Sequence, residues 1–186
     1  MRYPKGKRYF SNESALDQYR REVKFVPCPH CGRMGFLIGH GFLFGYAEAG
    51  QEIVVRGRRF FCSNRYRRRG CGLTFSVLLA DVLVGFVVRT YTLFAFLQGV
   101  ADGLSRKAAW GRVAGSFSLE SGYRLWRRLS EAQTHIKAVL CRQRPPPYST
   151  AAEPLVQVRD HLRYFFPTSD CLFTSFQRRF QTPLLG

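Results

Sequence analysis

Carboxylates are scarce in this chain: its 186 residues hold 12 Asp plus Glu against 29 Lys plus Arg, a formal charge of +17. Catalytic families built on clustered, metal-holding acids are therefore not expected. A folded body with this charge calls for a polyanion to screen it, and nucleic acid is the first expectation. Long hydrophobic runs are missing too. Val77 to Val100 is interrupted by Asp81, Gly85, Arg89 and Gly99. Its longest run, Val82 to Val88, is far shorter than the about 20 residues that span a bilayer, so no membrane partner is expected. A buried strand followed by a helix is expected there. No basic segment leading into an apolar core and a cleavage site opens the chain, so secretion is not expected. Neither an internal repeat nor low complexity is found beyond Pro145-Pro146-Pro147.

An apolar share of 46% is that of a folded protein, and the chain separates by composition into five parts. Residues 1–25 form a basic arm, with Glu13 to Arg21 able to make a short helix. Residues 26–80 are rich in Gly, aromatics and Arg, with strand-like runs at 36–38, 42–44, 53–55, 59–61 and 74–77. Residues 90–144 switch to helical spacing, 145–152 are a Pro-rich linker, and 153–186 read as a helical docking segment broken near Pro167. The fold class is α+β: a small β-rich zinc ribbon, a three-helix helix-turn-helix bundle and a short helical tail.

Without a leader, closely spaced cysteines point to metal rather than disulfides. Cys28-Pro29-His30-Cys31-Gly32 has the two-residue spacing that turns both sulfurs toward one ion, with a glycine that lets the backbone curl. Cys62 and Cys71 enclose eight residues where about two to four are usual, but Cys71-Gly72 repeats the Cys31-Gly32 ending. Four thiolates on a structural Zn²⁺ is the favoured set. The other arrangements are a buried, non-ligating Cys62 or Cys71 with His30 or His40 completing the site, and no metal. A catalytic zinc needs a nearby base, and no Asp or Glu lies between Glu52 and Asp81. Cys141 and Cys171 read as core residues.

The extra length of the second cysteine turn carries Arg65, Tyr66, Arg67, Arg68 and Arg69, continuing a basic run from Arg56, Arg58 and Arg59. Guanidinium forks suit phosphates and guanine edges, and Tyr66 has a face for stacking. Downstream, Leu93, Phe96, Leu97, Val100 and Ala101 fall on one helical face that Asp102-Gly103 ends. Ser105 caps a second helix with Ala109 and Val113 inward, and a third starts near Ser118 with Leu119, Tyr123, Trp126, Leu129, Ile136 and Leu140 as its buried stripe. In a helix-turn-helix, Ser118, Glu120, Ser121, Arg124 and Arg128 lie nearest base edges in the major groove, Arg127 shares the basic face of that helix as a further nucleic-acid contact, and Arg106, Lys107 and Arg112 hold phosphates. Glu120 and Arg124 also suit an i,i+4 pair. Lys5, Lys7 and Arg8 have the character of an arm that enters a minor groove.

The Cys28-Pro29-His30-Cys31-Gly32 opening, the Arg59-Phe60-Phe61-Cys62 strand, the Cys71-Gly72-Leu73-Thr74-Phe75-Ser76 exit and the helices after them resemble bacterial insertion-sequence proteins. The resemblance is to the zinc-ribbon DNA-binding region of such transposases and to InsA-type regulators made from it alone, over residues 26–130. It implies Cys28, Cys31, Cys62 and Cys71 as zinc ligands and the helix from Ser118 to Arg128 as the DNA reader. It also implies a bacterial, nucleoid-associated cytoplasmic protein that regulates or assists transposition. No segment resembles the RNase-H-like catalytic core, so catalysis is not expected. The alternative is an RNA-binding ribonucleoprotein component; a small metal-dependent nuclease using His30 or His40 is a third. A homodimer or partner protein held through the C-terminal segment is a further expectation.

Overall fold

Asn12 accepts a hydrogen bond from the Ala15 amide at 2.9 Å and starts helix α1, Glu13–Glu22, whose Glu13 and Arg20-Arg21 match the helix dipole at its two ends. The computed structural model describes residues 8–48 and 50–185, which fall into two units. The first takes the chain up to Tyr46 and then Glu52–Ala80; the second takes Ala47–Gln51 and the chain from Asp81 onward.

The first unit is a four-stranded sheet in the order β1-β4-β3-β2. Its strands are β1, Tyr9–Phe10; β2, Leu37–Tyr46; β3, Ile53–Cys62; and β4, Thr74–Leu79. β1 runs parallel to β4, and the other neighbours are antiparallel. The short runs expected at 36–38 and 42–44 are one strand, as are those at 53–55 and 59–61. Glycines take part in the pairing: Gly41 has a φ of 108° at a register shift between Gly39 and Phe42. Gly57 lies so close to the Val77 carbonyl that a Cβ there would collide with it. The basic arm expected over residues 1–25 is not a free tail in its described part. Tyr9 and Phe10 are buried in the sheet, and Tyr19 of α1 packs on Phe10 and Phe60 with ring centroids 4.9 and 5.4 Å away.

Five helices build the second unit: α2, Thr90–Ala101; α3, Arg106–Val113; α4, Leu119–Cys141; α5, Pro154–Phe165; and α6, Leu172–Phe180. The strand expected ahead of α2 is β4 of the first unit. Between Val82 and Val88 lie turns closed by a Val82–Arg89 bridge. Ser105 and Ser118 cap α3 and α4 as expected, and Gly103, at a φ of 91°, ends α2. The stripe of α4 differs from expectation at its start. Leu119 and Tyr123 are exposed, and Gly122, Leu125 and Trp126 open the buried face. The tail read as a docking segment packs on its own chain: Leu155, Leu162, Phe173 and Phe176 share one core with Leu93, Phe96, Trp110 and Leu129.

One cap is contributed from far along the chain. Glu48 accepts the backbone amide of Arg89 and, at 2.8 Å, the Thr92 hydroxyl, which places a carboxylate at the positive end of α2. Replacing Glu48 with Ala is expected to cost the second unit about 1 kcal/mol, read from the denaturant midpoint of unfolding. An unchanged midpoint would show that the cap contributes nothing.

Candidate metal centre and basic surfaces

The sulfurs of Cys28, Cys31, Cys62 and Cys71 all lie within 4.8 Å of one another. Cys28 and Cys71 are 3.8 Å apart and Cys31 and Cys62 3.9 Å, too far for disulfides. A tetrahedral ion with metal–sulfur bonds of about 2.3 Å has sulfur–sulfur edges of about 3.8 Å, so the residues present fit a four-thiolate ion site. No histidine belongs to this group among the described residues. The His30 ring lies 3.1 Å from the Thr74 carbonyl and the His40 ring tilts over Phe61. Cys171 is buried as expected, whereas Cys141 is exposed.

Two turns of matching construction hold the sulfurs. In the first, the Gly32 amide donates to the Cys28 carbonyl at 2.8 Å and the Cys28 amide to the Arg33 carbonyl at 2.9 Å. In the second, Gly72 donates to Cys62 and Cys62 to Leu73, each at 2.9 Å. Gly32 and Gly72 have φ values of 73° and 75°, the left-handed conformation that glycine adopts without strain. The His30 amide points at the Cys28 sulfur and the Cys71 amide at the Cys62 sulfur, dipoles suited to thiolates.

The long second spacing is explained by a neck. Gly70 donates to the Ser63 carbonyl at 3.1 Å, so residues 64–69 stand out as a bulb and only Ser63 and Gly70 remain inside the turn. The spacing that looks irregular in sequence is in space a two-residue spacing with a six-residue insertion. A Cβ on Gly70 would collide with the Ser63 carbonyl, which is why glycine stands there.

Burial pushes the Cys28 thiol up and the Cys62 thiol up to about 12. The Cys31 thiol is pulled down, mainly by a backbone hydrogen bond from Arg33. Metal-free, the buried sulfurs therefore hold their protons, and a cation entering the cage displaces them.

The bulb presents Arg65, Tyr66, Arg67, Arg68 and Arg69, all exposed, Tyr66 at 94%. Tyr66 and Arg67 adopt φ values of 53° and 61°, a strained conformation for residues with side chains, and Arg68 closes the turn onto the Arg65 carbonyl at 3.1 Å. The Arg33 guanidinium ties the base of the bulb to the Arg69 carbonyl. Among the described residues, no carboxylate forms an ion pair with Arg65, Arg67, Arg68 or Arg69. On β3, Arg59 is exposed, Arg56 lies across Gly45, and Arg58 is ion-paired with Asp17.

In the second unit Lys107 and Arg112 are exposed, while Arg106 lies over the Trp126 ring at 4.7 Å and 3.6 Å from Glu153. Ser118 is spent on its cap, and its hydroxyl lies 3.2 Å from that of Ser121. Arg124 lies over Phe86 at 5.1 Å rather than against exposed Glu120. Arg127 and Arg128 both reach Glu131, at 3.0 and 3.3 Å, and hydrogen bonding, from Arg127 first, holds its carboxyl below the usual range. Arg8 is exposed beside β1, whereas Lys5 and Lys7 lie outside the described residues. Two features escaped the sequence reading. The neck has no local signal, but exposed aromatics at alternate positions of β2, Phe42, Phe44 and Tyr46, are visible as a period-two pattern.

No family model, curated protein or solved structure matches this chain.

Proposed function

We propose that this chain is a zinc-dependent double-stranded DNA-binding protein without catalytic activity of its own, acting as a regulator or accessory factor of a mobile element. What carries the reading is the bulb between Cys62 and Cys71: a four-sulfur cage anchors a neck, and the neck displays four arginines and a tyrosine away from any carboxylate partner among the described residues. Structural Zn²⁺ suits the cage because it prefers four thiolates in a tetrahedron and leaves no open position for chemistry. The guanidiniums grip backbone phosphates, and the fixed turn lowers the cost of ordering them on binding.

In this reading the first unit is a zinc ribbon, and α2, α3 and α4 form a helix-turn-helix with the N-terminal turns of α4 in the major groove. Exposed Glu120 and Arg124 read base edges, while exposed Lys107 and Arg112 hold phosphates. The mobile-element assignment rests on the likeness of the cysteine turns and their flanking strands to insertion-sequence proteins.

The test is the salt dependence of binding to a labelled random-sequence duplex, for the wild type and R65A/R67A/R68A/R69A. Between about 50 and 200 mM salt, each lost phosphate contact is expected to flatten the log–log slope by about 0.9. The variant should keep its metal, since the neck and the cysteines are untouched. An unchanged slope would make the arginine bulb a solvated loop and remove the main support for this function.

A further inference from the structure

Where α4, α5 and α6 end, they enclose a cleft of about 270 Å³ lined by Gln143, Arg144, Phe165, Phe166, Arg179 and Phe180. Half of the lining is aromatic. Phe180 meets Phe165 at 6.4 Å and Phe166 at 6.0 Å, both edge-on, and leans on Phe176 at 5.2 Å. The three lining rings are half-buried against the core of the second unit, so part of each stays uncovered. The polar half of the lining is unspent. Among the described residues, neither Arg144 nor Arg179 has a carboxylate or hydrogen-bond partner for its guanidinium, and the Gln143 side chain has none either. No Asp or Glu lines the cleft. Arg144 lies over the Tyr164 ring at 4.4 Å and 5.5 Å from the Phe165 centroid, contacts that position the guanidinium without using its N–H groups.

The carbonyl ends of three helices attract cations on their own account. A counter-charge to a helix end needs neither a cavity nor rings beside it, and here both are present. Chemistry then selects the occupant. An apolar cavity of about 150 Å³ takes one benzene, so this larger cleft has room for a ring with a charged group attached. An uncharged ring leaves both guanidiniums unanswered, and a bare anion leaves the rings uncovered. We propose that the cleft binds a small aromatic anion, a ring bearing a carboxylate or a phosphate. Phe165, Phe166 and Phe180 pack the ring, Arg144 and Arg179 donate to the anionic oxygens, and the Gln143 amide adds a further donor. The site lies wholly in the second unit and does not depend on the DNA reading.

The test titrates zinc-loaded, ¹⁵N-labelled full-length protein with phenyl phosphate and with benzoate, following backbone amide shifts. Inorganic phosphate and benzyl alcohol supply the charge and the ring separately. Both aromatic anions should shift the amides of Gln143, Arg144, Phe166, Arg179 and Phe180, and bind about tenfold or more tighter than either half-probe. R144A/R179A is expected to lose about tenfold or more in affinity for both. R144Q/R179Q keeps long side chains over the rings and should lose as much, which separates charge from packing if the alanine variant misfolds. R20A/R21A on α1 removes the same charge elsewhere and should change affinity by less than about twofold. Equal affinity of wild type and R144Q/R179Q would overturn the proposal, as would shifts confined to the arginine bulb. Inorganic phosphate binding as tightly as phenyl phosphate would make the cleft a plain anion site, and benzyl alcohol binding as tightly as benzoate an apolar crevice; either result overturns it. No shift of these amides up to about 10 mM of either aromatic anion would leave the arginines as counter-charges to the helix ends and overturn it too. None of these outcomes bears on duplex binding.

Discussion

Stripping the metal with a strong chelator is expected to unfold the first unit and leave the second folded. The first unit is small: one four-stranded sheet, one ten-residue helix and a knuckle whose two turns are brought together around four sulfurs, with few contacts such as the Arg33 bond to the Arg69 carbonyl besides. Structural zinc contributes about 10–16 kcal/mol to folding in small zinc domains, more than the stability of most whole domains. The second unit has a core of its own, built from five helices, and no cysteine of the cage. Hydrogen exchange followed by mass spectrometry separates the two: after chelation, protection should vanish from β2, β3 and β4 and persist in α2 and α4. Cys62→Ser should reproduce the effect, with metal content falling from one ion per chain. Protected amides in β3 after chelation would contradict the account.

The sign of the pH dependence follows from the thiols. Burial holds Cys28 and Cys62 protonated in the metal-free cage, Cys62 up to about 12, so protons and metal compete for the same sulfurs. Metal affinity should therefore rise with pH across the neutral range and weaken on acidification.

Trp110→Ala is expected to destabilise the second unit by about 3–5 kcal/mol, read from its denaturant midpoint. Trp110 is fully buried, meets Phe96 edge-on at 5.1 Å, and donates its indole proton to the Ser118 carbonyl at 2.9 Å. That bond pins the chain where α3 hands over to α4. Gly122 leaves room for the ring, and a Cβ there would stand 2.6 Å from it, so Gly122→Ala should cost about 1–3 kcal/mol by overpacking. Trp110→Phe keeps an aromatic body but orphans the carbonyl, and an intermediate loss is expected. Loss of the pin would also blur the start of α4, where Glu120 and Arg124 stand, so duplex binding should weaken together with stability. A change below about 1 kcal/mol for Trp110→Ala would show that the handover is held by other contacts.

The parts legible in sequence were those decided by local chemistry. Ser105 and Ser118 announce helix starts because a hydroxyl three residues ahead of an amide caps it, and Asp102-Gly103 announces an end because glycine accepts the left-handed turn. Cys28, Cys31, Cys62 and Cys71 could be grouped because paired thiols with a following glycine make similar turns. What could not be read depends on distant partners. Glu48 gives no hint in sequence that it caps a helix starting at Thr90. Gly57 gives no local sign of its reason, which is the Val77 carbonyl of the neighbouring strand standing where a side chain would go. Leu119 and Tyr123 fit the helical period, yet they stay exposed while Gly122 and Trp126 meet the core around Trp110. The tail could be recognised as amphipathic, but amphipathicity does not say whether the covering surface belongs to the same chain.

The measurement that bears most directly on the central claim is selection from a random duplex pool by zinc-loaded full-length protein at near-physiological salt, in parallel with chelated protein. The loaded protein should retain duplex with an enriched motif, and chelation should abolish that retention. Failure of the loaded protein to retain duplex, or equal retention by chelated protein and by R65A/R67A/R68A/R69A, would contradict the account of a metal-organised DNA-binding chain.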